Sequence, residues 1–208
     1  MPRIVDKEAK RAEIIDAAID VFSRKGFQGA AVDDIAGAAG VSKGTVYGYF
    51  ESKEDLFFAT FAAFEAQVAG ELQAAIASES TARQQLATGL TTVAAKLLER
   101  IEVFPLTLEV WAAASSGPTR ERFAAAMQGL YREFRGIAAK LISEGEACGE
   151  FRSDINAEAV AAWLVGGMDG LVLQAWFDPA IDVRMWNEDF LQTILRGISV
   201  DEAQGGEE

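Results

Sequence analysis

The chain has 208 residues, half of them hydrophobic and a quarter charged, which is enough apolar sequence for one large domain or two small ones. It has no histidine and a single cysteine, Cys148, which excludes internal disulfides and Cys-rich zinc sites and removes the commonest general base. We therefore expect neither an enzyme nor a metal or cofactor site. The net charge is −13, but the first 60 residues carry only −2 of it, so contact with an anionic partner is expected only in this part.

The first residues are charged and include no apolar segment, so we expect no signal peptide and a cytoplasmic protein. No proline occurs from Arg3 to Phe104, and with the Ala-rich composition this predicts an all-α fold. An apolar stripe from Ile14 to Phe22 marks the first helix, which ends at Gly26. Helices are predicted over 7–25, 32–39, 43–49, 53–77, 82–101, 105–115, 118–149, 156–177 and 184–198, before a disordered acidic tail at 201–208.

The segment 157–177 is almost continuously apolar over 21 residues, which is long enough to cross a bilayer. Glu158 and Asp169 argue against a membrane span, because a carboxylate without a partner is costly there. A helix that is apolar on all sides is otherwise buried on several sides. We expect a core helix that also reaches a dimer interface, and no membrane partner.

Residues 31–50 predict two short helices joined by a tight turn. Such helices cross closely, so a small residue is needed where they touch, and Ala36 provides it. Gly40 lies where the chain reverses, because glycine takes positive φ without strain, and Val46 closes the gap from the second helix. This spacing is that of a helix-turn-helix, although any small corner between two helices fits it as well.

The outward face of the second helix carries the functional signal. A solvated face of an acidic protein would carry Glu and Lys, but here it carries hydrogen-bond donors suited to phosphate oxygens and base edges. Lys53 adds a cation at the start of the next helix, where free amides also favour phosphate. The candidate DNA-binding residues are Ser42, Lys43, Thr45, Tyr47, Tyr49 and Lys53.

Residues 8–68 resemble the DNA-binding domain of the tetracycline-repressor (TetR) family of bacterial regulators. The resemblance rests on the stretches 14–18, 22–27, 34–47, Phe50 and 52–56. It implies an N-terminal three-helix helix-turn-helix domain over 1–52 and a larger helical ligand-binding and dimerisation domain over 53–200. It also implies that Lys43, Thr45, Tyr47 and Tyr49 face DNA and that Lys53 meets phosphate.

The chain departs from the family pattern in two places. Ala30 and Ala31 stand where Thr or Ser is common, so the first motif helix lacks a side-chain cap, at a cost of about 1 kcal/mol. Gly48 stands where a bulky residue is common and, with Gly44, weakens the second motif helix. Both departures change the expected contacts with the operator without removing DNA binding.

Beyond residue 68 the resemblance is architectural, and the last helices are expected to form the dimer interface. Gly166 and Gly170 allow close helix approach, with Val172 and Leu173 available for packing; burial wholly inside one subunit is the alternative. Rings and methionines at helical spacing fit either a core or an apolar ligand cavity. The candidate ligand-binding residues are Phe104, Glu109, Trp111, Phe123, Met127, Tyr131, Trp163 and Met168.

The sequence therefore predicts a ligand-responsive repressor that binds double-stranded operator DNA as a homodimer and is released by a small hydrophobic inducer. The alternative is a helical ligand-binding or scaffolding protein that no longer reads DNA. Glu109 and Asp169 lie in apolar sequence with no basic neighbour along the chain, and a buried carboxylate needs a partner. This favours a hydrophobic cation as the inducer, with a neutral lipophile or an acyl compound as the alternatives; solvent exposure or the dimer interface would also account for the two acids.

Overall fold

The computed structural model of the chain describes residues 7–99, 101, 104–115 and 120–200. In these ranges the regular structure is helical, and strand pairing is limited to one isolated bridge between Phe151 and Ser199. The helices are α1 Lys7–Gly29, α2 Val32–Ala38, α3 Lys43–Tyr47, α4 Lys53–Ala77, α5 Ala82–Glu99, α6 Phe104–Ser115, α7 Arg120–Ala147, α8 Ala157–Phe177 and α9 Val183–Ile198. The all-α prediction is confirmed. The predicted start at Pro118 and the predicted tail lie outside the described residues.

Two of the differences from the predicted helix ends involve glycines. Gly26 takes φ 67°, so it interrupts α1 as expected, but helical residues resume and continue to Gly29. Helix α3 ends at Tyr47, and Gly48 is its C-cap, with its N–H donating to the carbonyl of Gly44 at 3.0 Å. Gly48 therefore ends the helix instead of weakening its interior, and a Cβ there would lie only 3.2 Å from the carbonyl oxygen of Thr45.

The chain divides into two compact units. The first contains the described residues up to Gln67 together with those from 104 to Ala124, and the second contains Val68–Ile101 and the described residues from Ala125 onward. The first unit thus extends beyond the domain boundary predicted at residue 52, and it includes α6 and the beginning of α7. A segment distant in sequence completes this unit because its apolar side chains pack into the same core.

Aromatic rings form the core of the first unit. The ring of Phe57 on α4 lies 5.1 Å from that of Phe22 and 4.9 Å from that of Phe27, measured between centroids. Phe123 packs 4.2 Å from Phe58 and is 3% exposed. Each ring buries a large apolar area, so this cluster joins α1, α4 and the beginning of α7 in one hydrophobic core.

The second unit is built on packing among α5, α7, α8 and α9. Gly145 on α7 is needed for close approach, because a Cβ there would lie 2.2 Å from Cδ2 of Phe151, which is itself buried. The carboxylate of Glu150 accepts hydrogen bonds from the N–H groups of Ala82 and Arg83, at 3.2 and 3.0 Å, and so caps α5.

Helix α8 is the one helix in the described ranges that is long and apolar enough to cross a bilayer. One side of it packs into the second unit, through residues that are buried there: Ala161, Leu164, Met168, Val172 and Ala175. The long apolar run is therefore explained in part by a core face, as expected from the sequence.

Candidate functional site

The helix-turn-helix predicted from residues 31–50 is present. Ile35 and Ala36 on α2 and Val46 on α3 are buried, so the two short helices share one small core. Gly40 has φ 64°, and the N–H of Val41 donates to the carbonyl of Ala36 at 3.0 Å, which closes the turn. The positive φ explains why glycine stands at this position.

Ser42 begins α3 as its N-cap. Its Oγ accepts a hydrogen bond from the N–H of Thr45 at 3.1 Å, as the sequence predicts, and lies 2.9 Å from Oγ1 of Thr45. Both hydroxyls are thus held at the N-terminal end of α3, the part of a recognition helix that contacts base edges. Their contact with DNA stays a prediction.

Lys43 and Tyr47 lie on the exposed side of α3, and Tyr47 is 48% exposed. The Nζ of Lys43 is 2.7 Å from Oδ2 of Asp33 on α2, and this hydrogen bond raises the pKa of Lys43. The ammonium group is therefore charged and lies on the surface, where DNA would have to replace or share Asp33. Tyr49 is half-buried beyond the end of α3, so less of it is available to a partner than of Tyr47.

Lys53 is engaged inside the first unit instead of extending freely toward solvent. Its Nζ donates to the carbonyls of Phe27 at 2.8 Å and Ala30 at 3.0 Å, and lies 4.4 Å from the centroid of the Phe27 ring. These contacts connect the beginning of α4 to the end of α1 and the beginning of α2. A phosphate contact by Lys53 stays a prediction, but the side chain also has a structural role that sequence spacing does not reveal.

The missing side-chain cap of α2 is confirmed, since Ala31 provides none. A carboxylate compensates for it: Oδ2 of Asp34 accepts the N–H of Ala31 at 3.0 Å, and Oδ1 of Asp34 lies 2.8 Å from Nζ of Lys25. The Lys25 hydrogen bond, followed by that of the Ala31 N–H, lowers the pKa of Asp34. This arrangement is one half of a capping box, and Asp34 at the third helical position is the sequence signal for it.

The expectation that Glu109 pairs with a cationic ligand is corrected by the partner that it has within the chain. Its Oε2 accepts the N–H of Phe27 at 2.7 Å, at the point where Gly26 turns the chain. The carboxylate therefore satisfies a backbone donor at the interruption of α1, and a cation is not needed to explain its burial. The basis for a hydrophobic cation is removed at this residue, because the partner comes from a segment 82 residues away in sequence.

The predicted ligand-binding residues are divided between the two compact units. Phe104, Trp111 and Phe123 belong to the first unit with Glu109, whereas Met127, Tyr131, Trp163 and Met168 belong to the second. Phe104 and Trp111 pack edge to face at 6.4 Å, and the buried Nε1 of Trp111 has no hydrogen-bond partner in the described part of the chain. Phe123 is explained by the aromatic core of the first unit.

Asp169, the second acid embedded in apolar sequence, also has a partner within the chain. The hydroxyl of Tyr131 on α7 donates to its Oδ2 at 2.6 Å. Burial raises the pKa of Asp169, and the hydrogen bond from Tyr131 opposes that shift only in part. The pair is internal to the second unit, so neither acid requires a cationic ligand.

The predicted dimer residues are not all available to a partner. Val172 is 1% exposed, so it packs inside its own subunit, which corrects its assignment to the interface. Gly166 is exposed, whereas Gly170 and Leu173 are half-buried. The period of an apolar helix does not show which of its sides meets the core, and this explains the error.

Large rings are exposed on the two helices that the sequence predicts at the dimer interface. We call Trp163, Phe177, Trp186 and Phe190, on α8 and α9, the aromatic face. Trp163, expected to contact ligand, is 79% exposed and lies on this face. Between Trp163 and Phe177, a Cβ at Gly166, Gly167 or Gly170 would meet none of the described residues within 4 Å, so packing among those residues does not explain these glycines.

Comparison with known proteins decides the family. Residues 14–60 match the model for bacterial regulatory proteins of the tetR family, and residues 82–197 match that for the C-terminal domain of BetI-type transcriptional repressors. The chain belongs to the tetR family. Its helix-turn-helix and its larger C-terminal helical domain are thereby confirmed.

Relatives of this TetR-family chain extend over nearly its whole length. A fatty acid metabolism regulator protein of Bacillus subtilis is 26% identical over 92% of this chain and 97% of its own. The transcriptional repressor KstR2 of Rhodococcus jostii is 27% identical, with 93% of each chain covered. The fold also matches a crystal structure of FadR from Bacillus subtilis in complex with stearoyl-CoA, with a TM-score of 0.72, 23% identity, and coverage of 90% of this chain and 98% of that one.

The protein is thus a ligand-responsive, DNA-binding transcriptional regulator that acts as a dimer. The α2–α3 motif is its DNA-reading element, and the helical domain beyond it is the part that the family uses for ligand binding.

Proposed function

We propose that the protein represses transcription by binding a near-palindromic operator as a dimer, with the two copies of α3 in successive major grooves about 34–36 Å apart. The observation that carries the proposal is the outer surface of α3, where Ser42, Lys43, Thr45 and Tyr47 present donors above a buried helix-turn-helix core. This surface is small, which suits a protein whose net charge of −13 opposes unspecific adhesion to DNA. The role lies in the cytoplasm and involves no catalytic step.

The ligand that we propose is an uncharged apolar molecule or one that carries an acyl chain. Two observations support this class over a hydrophobic cation. First, Glu109 and Asp169 are both paired within the chain, so no carboxylate of this pair is left for a cation. Second, one relative is a regulator of fatty acid metabolism, and a protein of the same fold binds stearoyl-CoA.

Helix α6 and the beginning of α7 offer a route from ligand to DNA, because they belong to the same compact unit as α2 and α3. Glu109 holds the backbone where α1 is interrupted, and Arg122 holds Asp55 at the beginning of α4 with a contact of 2.8 Å. The guanidinium of Arg122 also lies 4.1 Å from the centroid of the Phe58 ring. A ligand that displaces this segment would release both contacts and move the helices beside the DNA-reading element.

The required energy is modest. A ligand that binds the DNA-incompetent arrangement 100-fold more tightly shifts the equilibrium by about 2.7 kcal/mol, which is enough to vacate an operator. Such a shift needs only a few contacts of the kind made by Glu109 and Arg122, since a hydrogen bond to a charged group contributes about 1.5–3 kcal/mol.

The test is fluorescence anisotropy with duplex DNA from the region upstream of the coding sequence, at several salt concentrations. We expect sequence-selective binding that weakens steeply with salt, and release of the DNA by stearoyl-CoA but not by coenzyme A or tetraphenylphosphonium. Binding that is equal for scrambled DNA would contradict the operator role and favour a ligand-binding protein that does not read DNA. Release by tetraphenylphosphonium alone would contradict the proposed ligand class.

A further inference from the structure

The exposed side of the DNA-reading element has an acidic residue beside its basic one. Nζ of Lys43, at the beginning of α3, lies 2.7 Å from Oδ2 of Asp33, in the first turn of α2. The two side chains are 51% and 66% exposed, so the pair lies at the surface of the motif. An anion at this place opposes DNA binding, because every DNA sequence presents negatively charged phosphates.

Stabilisation of the fold is a weak explanation for this ion pair. An exposed pair contributes little, because water screens the attraction and two side chains lose conformational freedom. The two helices are already held together by the buried side chains of Ile35, Ala36 and Val46. What the pair does change is the availability of the Lys43 ammonium group to a second anion.

The neighbouring acid, Asp34, has a structural role that Asp33 does not share. The carboxylate of Asp34 accepts the N–H of Ala31 at 3.0 Å and lies 2.8 Å from Nζ of Lys25. The backbone donor at the beginning of α2 is thus bound by Asp34, whereas the carboxylate of Asp33 accepts from the ammonium group on α3. Two adjacent acids therefore have different partners, and only the partner of Asp33 is a candidate DNA-binding residue.

The pair affects operator DNA and arbitrary DNA differently. A guanine edge offers an ammonium group two acceptors in one place, O6 and N7, and these can replace the carboxylate of Asp33. Arbitrary DNA attracts lysines to its phosphates through the release of counterions. A lysine that stays with its carboxylate releases no counterion, so Lys43 adds nothing to binding of this unspecific kind.

We propose that Asp33 is a specificity-determining residue, which withholds Lys43 from the phosphates of arbitrary DNA and yields it to a base edge of the operator. The inference rests on the operator role proposed above, and it gives an acid a part in DNA recognition. The net charge of −13 opposes adhesion to DNA for the chain as a whole. Asp33 has the same effect locally, at the surface that binds the operator.

The test compares Asp33→Asn with the parent on two duplexes of equal length, one from the region upstream of the coding sequence and one with that sequence scrambled. Fluorescence anisotropy gives the dissociation constants at salt concentrations between about 50 and 200 mM. On scrambled DNA, Asp33→Asn should bind roughly eightfold more tightly at about 0.1 M salt, with a log–log salt slope steeper by about 0.9, because one more counterion is released. On the upstream DNA the gain should stay below about threefold, since Lys43 has already left Asp33 for a base edge there.

Three further measurements assign the effect to the ion pair. Asp33→Ala removes the charge and the acceptor together and should bind scrambled DNA as Asp33→Asn does. Asp20→Asn is the matched control on α1, where the exposed carboxylate lies 4.0 Å from the guanidinium of Arg24, and it should change this affinity by less than about twofold. In the Lys43→Ala background, Asp33→Asn should gain at most about twofold, because no ammonium group is left to release. Thermal unfolding verifies that each variant folds.

The proposal is overturned if Asp33→Asn binds scrambled DNA no more tightly than the parent. It is also overturned if Asp20→Asn gives the same gain, or if the gain persists in the Lys43→Ala background, since either result would be an effect of net charge. Weaker binding of Asp33→Asn to the upstream DNA alone would show that Asp33 contacts a base itself, as a carboxylate does at N4 of cytosine, and would contradict the proposal.

These outcomes are distinguishable from failure of the operator role. A parent that does not prefer the upstream DNA would contradict that role, whereas scrambled DNA would still show whether Asp33 withholds Lys43. Should Asp33→Asn fail to fold, Asp33→Ala decides the same question on the same two duplexes.

Discussion

The outer surface of α3 and the aromatic face of α8 and α9 are both exposed, but they present opposite chemistry. On α3 a hydroxyl, a phenol and an ammonium group face outward, and Nζ of Lys43 lies 2.7 Å from Oδ2 of Asp33. On α8 and α9 the exposed groups are indole and phenyl rings, with Trp163 at 79% and Phe177 at 74% exposure. Single exposed rings are ordinary, but several on two helices that contact each other favour a protein contact, whereas donors above a helix-turn-helix favour DNA.

The two surfaces also differ in how their glycines are used. Gly40 and Gly48 are explained inside the chain, by a positive φ and by the carbonyl of Thr45 that a Cβ would approach. A Cβ at Gly166 or Gly170 would contact none of the residues that the structure describes, and each glycine costs about 1 kcal/mol relative to Ala within a helix. Glycines that no packing within the described residues explains allow close approach by another molecule, and we propose the second subunit of the dimer as that partner.

The largest expected effect tests that assignment. Trp163→Glu combined with Phe190→Glu places two charges on the aromatic face and should weaken the dimer about 1,000-fold, since a central aromatic contact contributes about 2 kcal/mol or more. Analytical ultracentrifugation measures the dissociation constant. Gln192→Glu adds the same charge on another side of α9 and is the matched control. A dimer unaffected by the double variant would place the interface elsewhere.

The α3 surface should respond to substitution through DNA affinity alone. Lys43→Ala should weaken operator binding by roughly 10- to 100-fold, because a base contact contributes about 1–3 kcal/mol of discrimination, and should leave the stability almost unchanged, since its ion pair with Asp33 is exposed. Anisotropy titrations against matched and altered operators measure the effect.

Lys53→Ala is the informative comparison for this result. Its Nζ donates to the carbonyls of Phe27 and Ala30, so the variant should lower the free energy of unfolding as well as weaken all DNA sequences alike. Equal loss of sequence preference in both variants would contradict the division between a base contact and a supporting one.

A smaller effect is expected at Glu109. Glu109→Ala leaves the N–H of Phe27 without its acceptor, which should lower the free energy of unfolding by roughly 1–1.5 kcal/mol at this half-buried position. Glu109→Gln retains an acceptor oxygen and should cost less. Chemical denaturation of both variants measures the difference. If Glu109→Gln instead abolished binding of a cationic ligand at unchanged stability, the structural role assigned to this carboxylate would be wrong.

The smallest effect concerns pH. Burial raises the pKa of Asp169 in the folded protein above its ordinary value of 3.8, so the folded state holds this proton more tightly than the unfolded state does. The contribution of Asp169 to the free energy of unfolding is therefore largest below pH 3.8, and it is lost as the pH rises through the raised pKa. Asp169→Asn retains an acceptor for Tyr131 and should remove this fall.

Unfolding by urea at several pH values between about 2 and 8 measures this difference between the parent and the variant. Asp154→Asn is the comparison in which the pH dependence has the opposite direction. Arg152 lowers the pKa of Asp154, so the contribution of Asp154 to the free energy of unfolding is lost as the pH falls. Parallel pH profiles for the parent and Asp169→Asn would show that Asp169 is not desolvated in solution.

The sequence by itself determined the helices and the DNA-reading motif. The spacing of hydrophobic residues, the glycines and the capping residues are local signals. Gly40 marks the turn, Ser42 begins α3, and the predicted span 53–77 coincides with α4. These features depend on neighbours within a few positions, so the order of residues contains them.

Only the tertiary structure decided what the buried and exposed groups contact. Glu109 reaches Phe27 across 82 residues, Tyr131 reaches Asp169 across 38, and Lys53 turns inward to carbonyls 26 and 23 residues earlier. Sequence reasoning treated both acids as unpaired because it sees only neighbours along the chain. Which side of α8 is buried, Val172 or Trp163, is decided in the same way, since a helix apolar on all sides has no preferred face until its neighbours pack against it.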